Sequence, residues 1–174
     1  MLKIKKAGQA EKERVEALAE RVEVSLSKKG FGGIDSRSVA LAFEEGRLFI
    51  LVNHGEILGA YSFTANAKGI LFPGDSPRAY FSFLDGLGVE APLTLLSFLF
   101  VDPSLQGKGL GSLMLQDALS ARKETHFVAL VESKNLVATS FLLHHGFLFH
   151  HEEKGTAWYV RPYVPQGLCQ NVRW

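Results

Sequence analysis

The sequence predicts an α/β fold: a mixed, largely antiparallel sheet that contains a parallel strand pair and is flanked by helices. Three observations carry this. A continuous apolar run over residues 93–101 (LTLLSFLFV) passes through a glycine-rich turn into a helix-periodic segment, 109–122, and then a second apolar run, 127–131. A strand-helix-strand unit of this kind crosses over right-handed and leaves its two strands parallel. Two further pairs of strand-like runs, 47–52 with 57–64 and 147–151 with 157–161, are joined by short polar links that suit hairpins.

Taken from the N-terminus, residues 2–6 read as a short edge strand. Residues 10–29 read as an amphipathic helix with Val15, Leu18, Val22 and Leu26 on one face. Glu11 and Glu13 in its first turn, Lys28 and Lys29 in its last, and Gly30 beyond them match the charge preferences and stop signal of a helix. A second short helix begins near Ser36. In the first hairpin link, Asn53-His54-Gly55-Glu56, His54 reads as a solvated turn residue. Residues 65–92 carry Gly69, Pro73, Gly74, Pro77, Gly86 and Gly88 around an aromatic segment, Tyr80-Phe81-Ser82-Phe83. A structureless loop of that length is uncommon in a compact domain, so the segment is expected to contain a strand or to act as a functional loop. Leu110, Leu113, Met114, Ala118 and Leu119 give the crossover helix a buried face. A last helix spans 136–145, with Asn135 readable as its N-cap and Gly146 as its stop.

With 174 residues, 47% of them hydrophobic, and neither repeats nor low-complexity tracts, residues 1–174 read as one domain with a sizeable core. A net charge of +1 argues against a field-driven preference for nucleic acid or acidic membrane. The longest apolar runs are too short to span a bilayer, and the start, MLKIKKAG, lacks the apolar centre of a secretory signal. The single cysteine, Cys169, has no internal disulfide partner, so a reducing, cytoplasmic setting is expected.

The chemistry concentrates after residue 101. Asp102-Pro103 stops the strand, glycines stand at 107, 109 and 111, and a helix follows. Small residues let a ligand approach the backbone, and the free N–H groups of the first helical turn lie at the positive end of the helix dipole. A phosphate or pyrophosphate suits such a turn, although a tight strand-to-helix connection uses glycines without any ligand. Two phosphate signatures are excluded. A Walker-type loop needs Gly where Asp102 stands and Ser or Thr where Gly109 follows Lys108. A dinucleotide fingerprint needs a third glycine where Ser112 or Met114 stands.

A third pattern fits: Gln106-x-x-Gly109-x-Gly111 directly after a strand ending in Val101-Asp102-Pro103. This resembles motif A of the GNAT family of N-acetyltransferases. A second segment, Asn135-x-x-Ala138-x-x-Phe141-x-x-x-x-Gly146-Phe147, resembles the family's motif B and follows in the expected order. The resemblance implies that the parallel pair is central and splays open, and that the pantetheine arm of acetyl-CoA enters the opening against main-chain groups of Leu99, Phe100 and Val101. It further implies that the pyrophosphate meets Gln106, Gly107, Lys108, Gly109, Leu110, Gly111 and Ser112, and that Asn135 makes a polar contact with the arm. Lys108 reads equally as a solvated side chain.

The implied activity is acetyl transfer from acetyl-CoA to a primary amine by direct attack, with main-chain N–H around residues 97–99 receiving the oxyanion. The alternative is a non-catalytic acyl-CoA binding or regulatory module. Partners are then acetyl-CoA and an amine, without nucleic acid or membrane; a homodimer is compatible with the resemblance. Residues 65–92 become candidates for shaping the acceptor pocket. Many members carry Tyr as proton donor where this chain has Leu142, which leaves Tyr80, Tyr159 and His144 as substitutes. Several carry a basic Glu on the strand that is here 93–101, which leaves Glu90, Asp85 or a water chain. No catalytic residue is assigned. His144, His145, His150 and His151 are not expected to form a metal site, because neighbouring helical side chains diverge and no thiolate pair accompanies them. Interaction of His144 or His145 with a helix C-terminus is the expectation instead.

Overall fold

The computed structural model describes residues 1–31, 34–73 and 77–165; Cys169 lies outside the described residues. Seven strands form one sheet: β1 (Leu2–Lys6), β2 (Leu48–Asn53), β3 (Glu56–Ala65), β4 (Leu93–Val101), β5 (His126–Glu132), β6 (Leu148–Glu153) and β7 (Thr156–Arg161), in the order β1-β2-β3-β4-β5-β7-β6. Every neighbouring pair is antiparallel except β4 and β5, which are parallel and central. Both predicted hairpins close through two-residue turns in which each residue has positive φ: His54 (48°) and Gly55 (84°), then Lys154 (51°) and Gly155 (80°). That conformation matches the right-handed twist of the flanking strands, and glycine takes its second position without strain.

Six helices cover the sheet: α1 (Lys12–Lys28), α2 (Ser36–Glu44), α3 (Lys68–Leu71), α4 (Pro77–Asp85), α5 (Leu110–Ala121) and α6 (Leu136–His144). Period-2 alternation along the strands divides their side chains between two faces. On one face, Val15, Leu18 and Val22 of α1 and Val39 and Ala42 of α2 pack on Leu48, Ile50, Ala60 and Phe100. Farther along that face, Leu71, Phe83 and Leu84 of α3 and α4 pack on Leu93, Val128 and Val160. The opposite face carries α5 and α6, through Met114, Leu115, Ala118 and Leu142.

Three expectations are corrected by this packing. Residues 65–92 contain two helices instead of a strand. Tyr80, Phe83, Leu84 and Leu87 recur at helical spacing, and Phe72, Phe83 and Trp158 meet edge to face or tilted, so the aromatic residues bury as a helix face. On α5 it is Leu115, fully buried, that joins Met114 and Ala118, whereas Leu113 stays exposed. The first helix begins at Lys12, after a 3-10 turn over Gln9–Glu11 whose Glu11 carboxylate accepts hydrogen bonds from Gly8 N (2.8 Å) and Lys5 Nζ (2.6 Å).

No helix among the described residues is long and apolar enough to cross a membrane. One buried group makes the fold pH-sensitive. His126 has no exposed surface; its Nε2 lies 2.8 Å from the Val89 carbonyl, and its Nδ1 accepts from Tyr163 N–H at 3.1 Å. A ring that donates at one nitrogen and accepts at the other is neutral, and burial holds its pKa below the ordinary histidine value. Burial also lowers His145 and His150. The unfolded chain therefore takes up protons first. The His126 contribution to stability should be complete above about pH 7 and fall as pH drops below about 6.5, by up to about 1.4 kcal/mol per unit. Urea unfolding at pH 7.5 and 5.5 checks this; His126→Gln should lower stability at pH 7.5 and flatten the decline, and an unchanged midpoint across the range would contradict it.

Candidate active site

The central strands part company midway. β4 and β5 are in register at Leu93 with His126, Thr94 with Phe127, Leu95 with Val128 and Leu96 with Ala129, and the pairing stops there although β4 runs on to Val101 and β5 to Glu132. Each strand stays paired on its other side: β4 with β3 as far as Val101 opposite Gly59, and β5 with β7 as far as Glu132 opposite Thr156. The β3–β4 register shifts between Ser62, opposite Phe98, and Phe63, opposite Leu96, so Ser97 is an extra residue in β4. A bulge increases local twist and re-aims the strand beyond it. Beyond Leu96 the β5-facing edge of β4 is paired with no strand, and Ser97 is exposed although it sits in the middle of the central strand.

At the mouth of this fork Asp102 ends β4 and caps the next turn, accepting from Ser104 Oγ (2.6 Å), Ser104 N (2.9 Å) and Arg21 Nη2 (3.0 Å). The Ser104 hydroxyl first, then its N–H and Arg21, holds the Asp102 carboxyl below the usual carboxylate range. Gly107 and Gly109 follow at φ 78° and 77°, and α5 starts without any side-chain cap. Its first-turn N–H groups therefore have no partner from a capping side chain. A Cβ at Gly107 or Gly109 would meet nothing within 4 Å, so the chain here is open to solvent, with Gln106 and Lys108 exposed beside it.

The other proposed contacts divide. Phe100 and Val101 turn buried side chains into the two cores, leaving only main chain for the fork. Leu99 and Leu110 are half-buried on the α5 face. A Cβ on Gly111 would lie 3.4 Å from the Phe141 ring and 3.7 Å from Leu99, so this glycine lets α5, α6 and β4 converge. The Ser112 hydroxyl is bonded to His145 Nε2 at 2.9 Å. Asn135 caps α6, its Oδ1 accepting from Ala138 N–H at 3.1 Å. On the β5 side of the mouth, Ser133 Oγ is buried with no hydrogen-bond partner. Nothing in the sequence singled out Ser133, because its place follows from where the strand pairing ends.

The acid and base candidates are scattered. Leu142 is 3% exposed in a core with Leu115, Phe127, Phe147 and Tyr159. Tyr159 stands opposite Ala129, at the level where the fork opens, and its hydroxyl donates to Thr139 Oγ1 at 3.2 Å. Tyr80 packs edge-on against Phe72. Asp85 and Glu90 line a cavity of about 300 Å³ ahead of Leu93, at the end of β4 opposite the glycine turn. His144 lies in the last turn of α6 and His145 at its C-cap, as expected; the His145 ring packs at a tilt against Phe141, and burial foremost holds its pKa below the ordinary histidine value. Among the described residues no three His, Cys, Asp or Glu side chains converge as metal ligands.

On the α1–α4 face, Ser97 Oγ is 3.2 Å from Thr64 Oγ1, which accepts from Arg47 Nη1 at 2.8 Å; the same nitrogen lies 3.3 Å from Ser62 Oγ. The outer edge of the Arg47 guanidinium, Nε and Nη2, is held by the Glu45 carboxylate.

The model of the acetyltransferase (GNAT) family matches residues 27–147, which include the fork, the glycine turn and α6. Curated protein sequences give no match. Among solved structures, a GNAT-family acetyltransferase of Streptococcus agalactiae aligns with a TM-score of 0.73 at 14% identity, over 94% of this chain and 96% of that one. An acetyltransferase of Thermus thermophilus aligns at 0.65 and 18% identity, over 93% and 97%. The ribosomal-protein-alanine N-acetyltransferase of Escherichia coli aligns at 0.65 and 16%, over the whole of both chains. At these identities the likeness is one of fold.

The glycines of the turn should separate by role. Gly109→Ala should cost about 1–2 kcal/mol of stability through its positive φ alone. Gly111→Val should cost more, about 1–3 kcal/mol from crowding Phe141 and Leu99. Urea midpoints of the two variants check the order.

Proposed function

We propose that this chain, which belongs to the GNAT acetyltransferase family, transfers an acetyl group from acetyl-CoA to a primary amine that attacks the thioester directly. The fork carries the reading. An unpaired strand edge inside a sheet presents N–H and C=O groups at strand spacing, which is what an extended, amide-containing arm requires, and the glycine turn at its mouth presents N–H groups to an anion. Main-chain groups of 97–101 would hold the pantetheine arm. The turn from Gln106 to Ser112 would hold the pyrophosphate, with Lys108 adding charge. The orphaned Ser133 hydroxyl and the amide nitrogen of Asn135 would meet the arm from the β5 side. The donor suits these residues because its pyrophosphate and the amides of its arm would meet groups the fold leaves unsatisfied or solvent-facing.

In this reading the amine attacks as the free base, from the face where Ser97 is exposed. The carbonyl oxygen gains charge as the tetrahedral intermediate forms, and main-chain N–H at the bulge receives it; such a donor is worth about 10²–10³-fold in rate. Collapse expels the thiolate. A thiol with a pKa of about 8.5 leaves tolerably without prior protonation, so Leu142 in place of an acid slows the reaction without forbidding it. The reading includes a cytoplasmic setting, with acetyl-CoA and the amine as partners and neither nucleic acid nor membrane. The N-acetyltransferase from Escherichia coli among the structural neighbours is in keeping with an amine acceptor.

The test is binding followed by turnover. Acetyl-CoA at about one hundred times its dissociation constant should stabilise the fold by about 2.7 kcal/mol, with ATP and nicotinamide dinucleotides far weaker. Gly109→Val, folded, should lose most of that stabilisation. Absence of any thermal shift at millimolar acetyl-CoA overturns the reading, and binding without acetyl transfer to any amine would leave a binding module instead.

Leu142 gives a second measurement. Leu142→Tyr and Leu142→Phe should each lose about 1–3 kcal/mol of stability, because both overfill a packed core. If thiolate departure limits the rate, single-turnover transfer should be faster in the Tyr variant than in the Phe variant, by no more than about 10²–10⁴-fold. Equal rates at equal acetyl-CoA affinity would show that departure is not limiting.

A further inference from the structure

The α1–α4 face is interrupted by a polar strip. One apolar cluster on this face ends at Leu48, Ala60 and Phe98, the other begins at Leu95, and between them lie Arg47, Ser62, Thr64 and Ser97. Arg47 immediately precedes β2, Ser62 and Thr64 belong to β3, and Ser97 is the bulge of β4, so the strip runs across β3 and ends at the fork. Such positions on a helix-covered sheet ordinarily hold apolar side chains. The strip is closed at Ser62, which is fully buried, and reaches solvent at its two ends, where Ser97 is exposed and the Arg47 side chain retains 27% of its exposure.

Arg47 is the charged member of the strip, and its two edges do different things. Nη1 is fixed inward by the Ser62 and Thr64 hydroxyls, which orient the guanidinium plane. Nε and Nη2, the edge that takes carboxylates bidentately, face outward and already hold one, that of Glu45. Glu45 retains 47% of its exposure and caps the C-terminus of α2, where the helix dipole disfavours an anion. A solvated pair of this kind contributes little, so an incoming carboxylate exchanges with it at small cost.

We propose that this outer edge of Arg47 receives a carboxylate carried by the acceptor amine, and that the acceptor class is therefore amino acids, free or as an acidic first residue of a peptide. The inference rests on the acetyl-transfer reading and specifies its acceptor. Two hydrogen-bond lengths, through Thr64 Oγ1, separate Arg47 Nη1 from Ser97 Oγ at the bulge, and the outer edge lies on the far side of the same guanidinium, so nitrogen and carboxylate must belong to one small molecule or one residue. Thr64 and Ser97 supply hydroxyls for the polar atoms between them.

The experiment compares matched acceptors: free amino acids against their amides and the corresponding decarboxylated amines, and peptides beginning with Asp or Glu against those beginning with Asn or Gln. The carboxylate member should be favoured about 10- to 100-fold in kcat/KM, the range for a hydrogen-bonded charge. Arg47→Gln should abolish that preference while leaving the thermal shift by acetyl-CoA intact, and Arg47→Lys should restore part of it. An advantage in the free pair or in the peptide pair supports the inference and identifies the source. In the wild type, N-blocked amino acids should inhibit competitively against the amine and their amides should not, a readout that needs no folded variant. Transfer with no carboxylate preference, or a preference that survives Arg47→Gln, overturns this inference alone. Acetyl-CoA binding without transfer to any amine overturns the acetyl-transfer reading, and this inference falls with it.

Discussion

A strand inside a sheet has two edges to satisfy, and β4 satisfies both only from Leu93 to Leu96. Past that point one extra residue, Ser97, turns it away from β5, while β3 keeps hold of its other edge to Val101. The remaining parts of the site take their positions from this divergence. The glycine turn lies at the mouth because it follows the last residue of the diverted strand. Asn135 and Ser133 flank the mouth because they follow the last residue of the strand left behind. Unpaired backbone groups in a protein interior are costly, and here they face an opening where water or a ligand can reach them.

The N-terminus of α5 points where it does because of close packing on its own face. Gly59 allows it: a Cβ there would meet the Phe100 carbonyl at 2.6 Å and Met114 Cε at 2.9 Å, so the helix approaches the sheet as closely as a glycine permits. Tyr61, fully buried in β3 and stacked in one cluster with Phe49 and Phe63, hydrogen-bonds Asp117 on the same helix. Desolvation above all, with the neighbouring Asp117 carboxylate, pushes the Tyr61 hydroxyl far above the ordinary phenol range, so it remains a donor at every physiological pH. At the other end of the crossover, Thr125 and Thr94 hydroxyls meet at 3.0 Å where β5 enters beside β4. Both ends of the strand-helix-strand unit are thereby held, and the fork opens between fixed walls.

Much of this was legible in the sequence because it is local. The parallel pair follows from an apolar run, a helix and another apolar run in succession, and both hairpins follow from Gly55 and Gly155 in polar links. The helix cap at Asn135 was equally readable. Features that depend on two strands at once were not. The bulge at Ser97 is a matter of register between β3 and β4, and nothing in LTLLSFLFV marks which residue is extra. Arg47 reads as the first residue of a strand, although β2 begins one residue later, and its partners are fifteen and seventeen residues away, so nothing local marks it as part of a polar strip. Residues 77–85 sit in a segment whose length, glycines and prolines point to a loop or a strand, whereas the spacing of Tyr80, Phe83 and Leu84 buries one side of a helix against Trp158.

The sheet is left unpaired at three places, β1, β6 and the fork, and they carry different risks of being joined by a foreign strand. The outer edge at β1 is guarded by Lys3, Lys5 and Lys6, and the one at β6 ends in Glu152 and Glu153, although Leu148 and Phe149 leave part of it greasy. Charges of this kind are the usual defence against edge-to-edge association. The third edge, inside the fork, carries no charge at all between Ser97 and Val101. Its protection is geometric: sheet continues on both sides, β3 beyond β4 and β7 beyond β5, so this edge is flanked by walls that the outer edges lack. A divergence inside a sheet thus leaves a backbone edge uncovered without making it an outer edge, which is where edge-to-edge association begins.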